Sequence, residues 1–195
     1  MVTKRAAGGI SASAVALIAA ALVQYEGVRH VGYLDPAGIP TKCMGDTHDV
    51  VVGKYYRDAE CLKSLMTQVT SHGDAVLSCV PSLAGHDNQI EASTRFAYNI
   101  GSGAFCKSTV AKRFNRGDWR GACRAINQDD RGNPQWVTAV VSWQAGAPRP
   151  YPKYRVRGES WTYTSHGTVF MAANIEFPGL VKRRAAERAL CEKGL

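Results

Sequence analysis

Apolar residues recur at helical spacing, three and four positions apart, in five segments of the chain. These segments span 58–71, 87–100, 105–115, 118–126 and 178–191. Gly101 and Gly117 follow two of them and Pro178 opens the last, which is typical of residues that end and begin helices. Asp58 is placed to cap the first. The pattern therefore predicts a mostly helical region after about residue 58.

Two regions lack the helical pattern. Residues 30–53 are interrupted by glycine and proline, which indicates short strands and turns. Residues 127–177 are rich in proline, glycine, tyrosine and tryptophan, and they predict loops with one hairpin. A small β-containing lobe followed by a mostly helical lobe is an α+β arrangement.

Residues 6–23 form an uncharged apolar run behind Lys4 and Arg5. As a helix the run reaches about 27 Å, barely the thickness of bilayer hydrocarbon. Glycine, serine and alanine make it weakly hydrophobic. It is a cleavable secretory signal, a permanent anchor, or a marginal anchor that first holds the protein in the membrane and later leaves it. Its composition favours the first and third, and in each case the rest of the chain faces the periplasm.

The six cysteines are widely spaced and lack the close pairs of zinc sites. An even number favours disulfides in an oxidising compartment, although spacing alone selects no pairing. The five histidines show no metal-binding spacing, so we expect no metal and no cofactor.

A net charge of +8 favours an anionic partner: nucleic acid, a membrane surface or an acidic wall polymer. No basic stripe is interleaved with aromatic residues, and an exported chain rarely meets nucleic acid. We therefore expect no nucleic acid partner.

Three residues have the chemistry that hydrolysis of a glycosidic bond requires. One carboxylic acid must protonate the leaving oxygen, and a second carboxylate must activate water or stabilise the sugar cation. Glu26 ends the apolar run, where low polarity favours a protonated carboxyl, whereas Asp35 lies in the turn-rich region, where solvent favours the ionised form. Thr41 follows at a distance at which a hairpin brings its hydroxyl beside Asp35.

The spacing of Glu26, Asp35 and Thr41 resembles the catalytic triad of the phage-type lysozymes. Residues 96–109, FAYNIGSGAFCKST, resemble their cleft helix and following turn, and residues 179–191, GLVKRRAAERALC, resemble their last helix. The resemblance implies a lysozyme-like fold, with a small β-containing lobe and a larger, mostly helical lobe around a cleft. Residues 25–195 would form this domain, with 127–177 as an insertion, because the family crosses that region in far fewer residues.

The resemblance further implies a muramidase that hydrolyses the β-1,4 bond between N-acetylmuramic acid and N-acetylglucosamine in peptidoglycan glycan strands. Glu26 would be the general acid, and Asp35 and Thr41 would position the attacking water. Two alternatives stay open: a lytic transglycosylase, which needs no such water site, and a secreted, membrane-tethered module that only binds the wall.

Other site residues follow from the same resemblance. Asn99 would line the cleft, and Arg183 or Arg184 would pair with Glu26. The alternatives are an ordinary polar residue at a helix end for Asn99 and a solvated basic face for the arginines. The implied disulfides are Cys43 with Cys61, Cys79 with Cys106, and Cys123 with Cys191.

Residues 1–24 resemble the signal-anchor-release segment of one endolysin subgroup. Such an enzyme waits at the periplasmic face of the inner membrane and is later freed. The run 6–23 contains no cysteine, so we expect control by topology and refolding instead of disulfide exchange. The freed protein is expected to be a monomer. The aromatic residues of 127–177 either stack on sugar rings or pack on a small core of their own.

Overall fold

The structure is a computed structural model that describes residues 9–35 and 38–195, apart from the side chains of Tyr25 and Glu26. The start of the apolar run, residues 6–8, and the turn residues 36 and 37 lie outside these ranges. The helices are α1 (Ala12–Glu26), α2 (Asp58–Cys79), α3 (Asp87–Ile100), α4 (Ser102–Lys107), α5 (Thr109–Phe114), α6 (Trp119–Arg124) and α7 (Pro178–Glu192). The strands are β1 (Arg29–Leu34), β2 (Pro40–Cys43), β3 (Thr138–Gln144), β4 (Val156–Ser165) and β5 (Thr168–Glu176). The fold is α+β, as predicted.

The helical lobe is built around α3, which packs against α2 on one side and α7 on the other. Its core holds the fully buried rings of Phe96, Phe105 and Phe114. Phe96 and Phe105 meet edge to face, with their ring centroids 6.2 Å apart. The bounds of α3 and α7 confirm the helices predicted from the apolar pattern.

Three disulfides connect the elements. They join Cys43 with Cys61, Cys79 with Cys106, and Cys123 with Cys191, which is the pairing that the family resemblance implied. The first ties β2 to α2, the second ties α2 to α4, and the third ties α6 to α7. The first disulfide therefore joins the hairpin to the helices, and the other two lie within the helical lobe.

The small lobe is an antiparallel hairpin of β1 and β2, in which Tyr33 lies opposite Thr41. A loop that includes Val51 and Lys54 closes over it. The N–H of Gly32 donates to the carbonyl of Lys54 at 2.9 Å. A Cβ at position 32 would lie 2.3 Å from the carbonyl oxygen of Val51, so only glycine allows this approach.

Asp46 joins the small lobe to α2. Its buried carboxylate accepts hydrogen bonds from the Ser64 hydroxyl and from the backbone N–H of His48, the latter at 2.9 Å, and it lies 3.4 Å from Lys42 Nζ. Burial alone would raise the pKa of Asp46, but these bonds and the Lys42 charge outweigh it and hold the pKa below its ordinary value.

Helix α1 packs against α2 and α3 through Val15, Ile18, Ala19 and Leu22, which are buried. Its opposite side is apolar as well: Leu17 is 62% exposed. One side of the apolar run is thus part of the core from Val15 onward. None of the helices in the described ranges has the length and apolar character needed to cross a membrane.

Two helix predictions were wrong in detail. Helix α2 continues eight residues past 71, to Cys79. Asp58, which was predicted to cap its start, is instead its first residue, and the Glu60 carboxylate accepts the backbone N–H of Arg57 at 3.0 Å. The helix predicted over 105–115 is two helices, α4 and α5. Ser108 separates them because its backbone is extended and its hydroxyl oxygen caps the start of α5 by accepting the N–H of Ala111.

The region 127–177 also contains more regular structure than the predicted loops with one hairpin. It contains a three-stranded antiparallel sheet in the order β3-β5-β4, in which β4 and β5 form the hairpin. The central strand β5 buries Ala172, Ala173 and Ile175. The third strand, β3, was not predicted because its partner β5 lies about thirty residues further along the chain, beyond the reach of a local pattern.

Replacing Ile18 with alanine should destabilise the soluble protein, whereas Leu17→Ala on the same helix should not. Ile18 is fully buried, and removing such a side chain costs about 2–5 kcal/mol. The exposed Leu17 should change the free energy of unfolding by less than about 0.5 kcal/mol. Urea denaturation of the two variants measures both effects. Equal, small changes would contradict the docking of α1.

Replacing Asp46 with asparagine should weaken the fold at neutral pH and make it less sensitive to acid. The pKa of Asp46 is lower in the folded than in the unfolded state, so its contribution is present above the unfolded value near 3.8 and is lost as the pH falls through the folded value. The loss at pH 7 should be on the order of 2 kcal/mol. Melting temperatures from pH 7 to pH 2 test this, with the exposed Asp49→Asn as control. A parallel acid profile for D46N and wild type would contradict it.

Candidate active site

Glu26 is the last residue of α1, where the helix ends before Gly27. Gly27 has φ 65° and donates its N–H to the carbonyl of Val23 at 3.3 Å, which closes the helix and turns the chain toward β1. The position of the Glu26 backbone is therefore set by the buried turns of α1 before it. Its side chain lies outside the described parts of the structure, so its place in the cleft stays a prediction.

Asp35 and Thr41 lie on the two arms of the β1–β2 hairpin near its end, Asp35 directly after β1 and Thr41 within β2. Both contact Ile39. The Asp35 carboxylate accepts the N–H of Ile39 at 2.8 Å, and the N–H of Asp35 donates to the Ile39 carbonyl at 3.0 Å. The hydroxyl of Thr41, a nearly buried residue, donates to the same carbonyl at 3.0 Å.

This geometry has a chemical consequence. The Thr41 hydroxyl donates its hydrogen to the Ile39 carbonyl, so its oxygen is left to accept a hydrogen bond. The Asp35 carboxylate is held by a backbone N–H on the same turn. Both groups are therefore ordered by the same residue, Ile39, at the hairpin end, and their joint hold on a water stays a prediction.

Asn99 and Arg183 line one cleft of about 460 Å³ between the end of α3 and the start of α7. Tyr154, Phe177 and Leu180 complete its walls, and we call it the α7 cleft. Asn99 itself is exposed. The structure brings together these two residues, which the resemblance had proposed for substrate contact, and it adds walls from the insertion that sequence reasoning had left unassigned.

The expectation of a solvated basic face for the two arginines was wrong. Arg183 is 4% and Arg184 is 0% exposed, because α7 packs this face onto α3. Arg184 Nη2 and Arg183 Nε donate to Glu187 Oε1 at 2.7 and 3.1 Å. The Arg184 guanidinium lies over the Phe96 ring, 4.8 Å from its centroid.

Glu187 is a functional candidate that sequence reasoning missed. Burial raises the pKa of its carboxyl, while the charges of Arg184 and Arg183 act in the opposite direction. Its spacing, three and four residues after the two arginines, was a usable indication, since such pairs share one face of a helix. The cluster fixes both guanidinium groups beside the cleft. Their pairing with Glu26 stays a prediction.

Within the described residues, no group of three or more histidine, cysteine, aspartate or glutamate side chains is arranged to hold a metal ion.

The family model described as phage lysozyme matches residues 23–143, which include the end of α1, the hairpin and α3. A SAR-endolysin of bacteriophage PS119 is 34% identical over 117 residues, covering 57% of this chain and 67% of that protein. The endolysin of Acyrthosiphon pisum secondary endosymbiont phage 1 is 28% identical over 172 residues, covering 87% of this chain and 90% of its own.

A solved structure agrees in fold. The endolysin from Escherichia coli O157:H7 phage FAHEc1 superposes with a TM-score of 0.63 at 22% identity, covering 96% of each chain. The family match includes each of the three positions proposed for the triad. The chain therefore belongs to the phage lysozyme family, and it is a muramidase and endolysin that cleaves peptidoglycan.

Proposed function

We propose that the enzyme hydrolyses the β-1,4 bond between N-acetylmuramic acid and N-acetylglucosamine, with Glu26 as general acid and with Asp35 and Thr41 positioning the water. The observation that carries this proposal is the hairpin end, where Asp35 and Thr41 meet at Ile39, directly after the helix that ends in Glu26. The resulting breakdown of the wall lyses the host cell.

In the proposed reaction, the Glu26 carboxyl gives its proton to the glycosidic oxygen as the bond to the anomeric carbon breaks. A water held by Asp35 and Thr41 attacks that carbon from the opposite face and gives a proton to Asp35. The positive charge that develops on the sugar is stabilised by the Asp35 carboxylate. The products are two free glycan ends, with inverted configuration at the new reducing end.

The structure supports hydrolysis over the lytic transglycosylase alternative. A transglycosylase closes an internal sugar ring and has no use for an ordered water. In this chain the Thr41 hydroxyl donates to the Ile39 carbonyl and the Asp35 carboxylate accepts the Ile39 N–H, so both groups are ordered at the hairpin end, where we propose that the water is held.

We also propose that residues 6–23 first hold the protein at the inner membrane and then leave it to form α1. The SAR-endolysin relatives bear the name of such a segment. Residues 12–23 carry no charge, and both sides of α1 are apolar, with Ile18 buried and Leu17 exposed. A helix that is apolar on both sides is better suited to a lipid environment than to the surface of a folded protein. We expect the freed enzyme to act as a monomer.

Glu26→Gln should lower the rate of wall clearing by on the order of 10³-fold, because the amide has no proton to give to the leaving oxygen. Asp35→Asn should lower it strongly as well. Turbidity of purified peptidoglycan measures the rate, with the exposed Glu159→Gln and Asp49→Asn as matched controls. Mass spectrometry of the wild-type products should find reducing ends, and anhydro-sugar ends would contradict hydrolysis.

Depolarising the inner membrane should release the full-length chain into the periplasm. Ser13→Leu with Ala16→Leu should slow the release, because both positions are exposed on α1 and the added apolar area favours lipid. Ser13→Ala with Ala16→Ser leaves the hydropathy nearly unchanged and is the control. Fractionation with intact-mass measurement follows the chain. Material already shorter by about twenty residues would indicate a cleaved signal instead.

A further inference from the structure

The three-stranded sheet of the insertion has two faces with different surroundings, because side chains alternate along each strand. Ala139 and Ile175 are cross-strand partners on one face, which is turned inward: Ala139 lines the α7 cleft and Ile175 is fully buried. The opposite face carries Trp161, Tyr163 and Phe170, of which the first two are 41% and 42% exposed. We call it the outer face, and we call these three side chains the outer rings.

A bulge in β4 arranges the outer rings. Tyr163 pairs with Phe170 across the strands, and the two rings are stacked, with their centroids 5.4 Å apart and their planes inclined by 17°. A regular register continued from Arg157 would place Trp161 opposite Phe170, but the irregularity after Arg157 moves Trp161 opposite the small Ala172. Trp161 therefore lies beside the stacked pair, about 7 Å along the strand from Tyr163, which is close to the length of one sugar unit.

The sheet carries little charge, although the chain as a whole is strongly basic. The three strands, all within the described part of the chain, contain the charged residues Arg157, Glu159 and Glu176 and no others. Arg157 pairs with Glu176, and Glu159 lies in the bulge. Strand β3 adds the exposed Ser142 and Gln144 to the outer face. A surface of rings with a hydroxyl and an amide beside them suits a neutral, polar ligand that has apolar faces.

We propose that the outer rings bind a glycan strand of peptidoglycan through its neutral, β-1,4-linked N-acetylated sugars. The C–H faces of such sugars pack on aromatic rings, and their hydroxyl and acetamido groups are partners for a side-chain hydroxyl and amide. Such a site keeps the enzyme on its insoluble substrate between successive cuts. Strands β4 and β5 lie beyond residues 23–143, the part that the family model matches. The inference goes beyond the proposed hydrolysis and does not depend on the roles of the proposed triad.

Two other occupants fit the outer face less well. A stable dimer buries about 800 Å² on each partner, and one aromatic side chain supplies at most about 150–250 Å². More than half of Trp161 and of Tyr163 is already covered by the protein, so the outer rings offer far less than a dimer needs. An anionic membrane surface attracts lysine and arginine, whereas the three strands hold one arginine against two glutamates.

The first test measures binding of the freed, soluble enzyme to insoluble chitin, a neutral β-1,4 polymer of N-acetylglucosamine. Trp161→Ala with Tyr163→Ala should raise the apparent Kd about five- to tenfold, because two stacking rings are lost. Trp161→Phe, which keeps a ring, should retain most of the affinity. The measurement is made at high salt, which screens the general attraction of a +8 chain to anionic surfaces but not stacking on a neutral sugar.

The matched control is Thr162→Ala with Val169→Ala. Both side chains are exposed, and the register places them on the other face of the same two strands. This variant should bind chitin as the wild type does. Equal weakening in the two double variants, or none in Trp161→Ala with Tyr163→Ala, would overturn the proposal. So would vesicles of phosphatidylglycerol, or a second copy of the chain in sedimentation velocity, if either binding needs the outer rings while chitin binding does not.

Turnover on two substrates separates this site from the proposed function. Trp161→Ala with Tyr163→Ala should raise KM on insoluble peptidoglycan roughly fivefold and leave kcat/KM on short, soluble glycan fragments unchanged, because a short fragment does not reach both sites. An equal loss on both substrates would overturn the proposal, since the rings would then support the fold or the catalytic cleft. If Glu26→Gln stays active while chitin binding still needs the outer rings, the catalytic assignment alone is wrong.

Discussion

The burial of one side of α1 is the interaction on which the rest of the molecule depends. Ile18 and Leu22 are completely enclosed by α2, α3 and the small lobe, and the helix ends four residues later at Glu26. A helix anchored this way fixes the backbone of its last residue, from which the chain turns into β1. The proposed acid and the proposed water site come from separate elements, so in this account the geometry of catalysis depends on the packing that joins them.

The same helix explains a tension in the sequence. Apolar residues lie on its exposed side as well as on its buried side, which is unfavourable for a surface helix because Leu17 is left in water. The proposed membrane stage gives that surplus a purpose. Small alanine residues let the helix approach α2 closely, and Ile10 fits where a Cβ at Gly73 would come within 2.6 Å of it. The composition suits both environments without being ideal for either.

Much of this architecture follows from local patterns. Helix α3 ends where Gly101 predicts, because glycine readily adopts its positive φ of 86°, and α7 begins where Pro178 predicts, because proline fixes a helical φ and needs no N–H partner in the first turn. The triad positions and the disulfide pairing needed the family resemblance, since spacing alone selects neither. The packing of the arginines was missed because a run of charges on a helix usually faces solvent. Here α3 covers it and Glu187 offsets it.

Long-range contacts set the limit of what the sequence predicts. The bond from Ser64 to Asp46 and the pairing of β3 with β5 join residues that no local pattern relates. Phe177, which directly precedes α7, packs edge to face on Tyr154 because that sheet returns the chain to α7. Such features arise from how elements pack, and local sequence patterns do not locate them.

The most direct test of the central claim is the configuration of the newly formed reducing end. Proton NMR of the first products, recorded before mutarotation, distinguishes the two anomers. A water held by Asp35 and Thr41 opposite the acid predicts inversion, so the α-anomer should appear first. Initial formation of the β-anomer would mean that the bond breaks through a covalent or ring-closed intermediate, and it would contradict the role assigned to the hairpin.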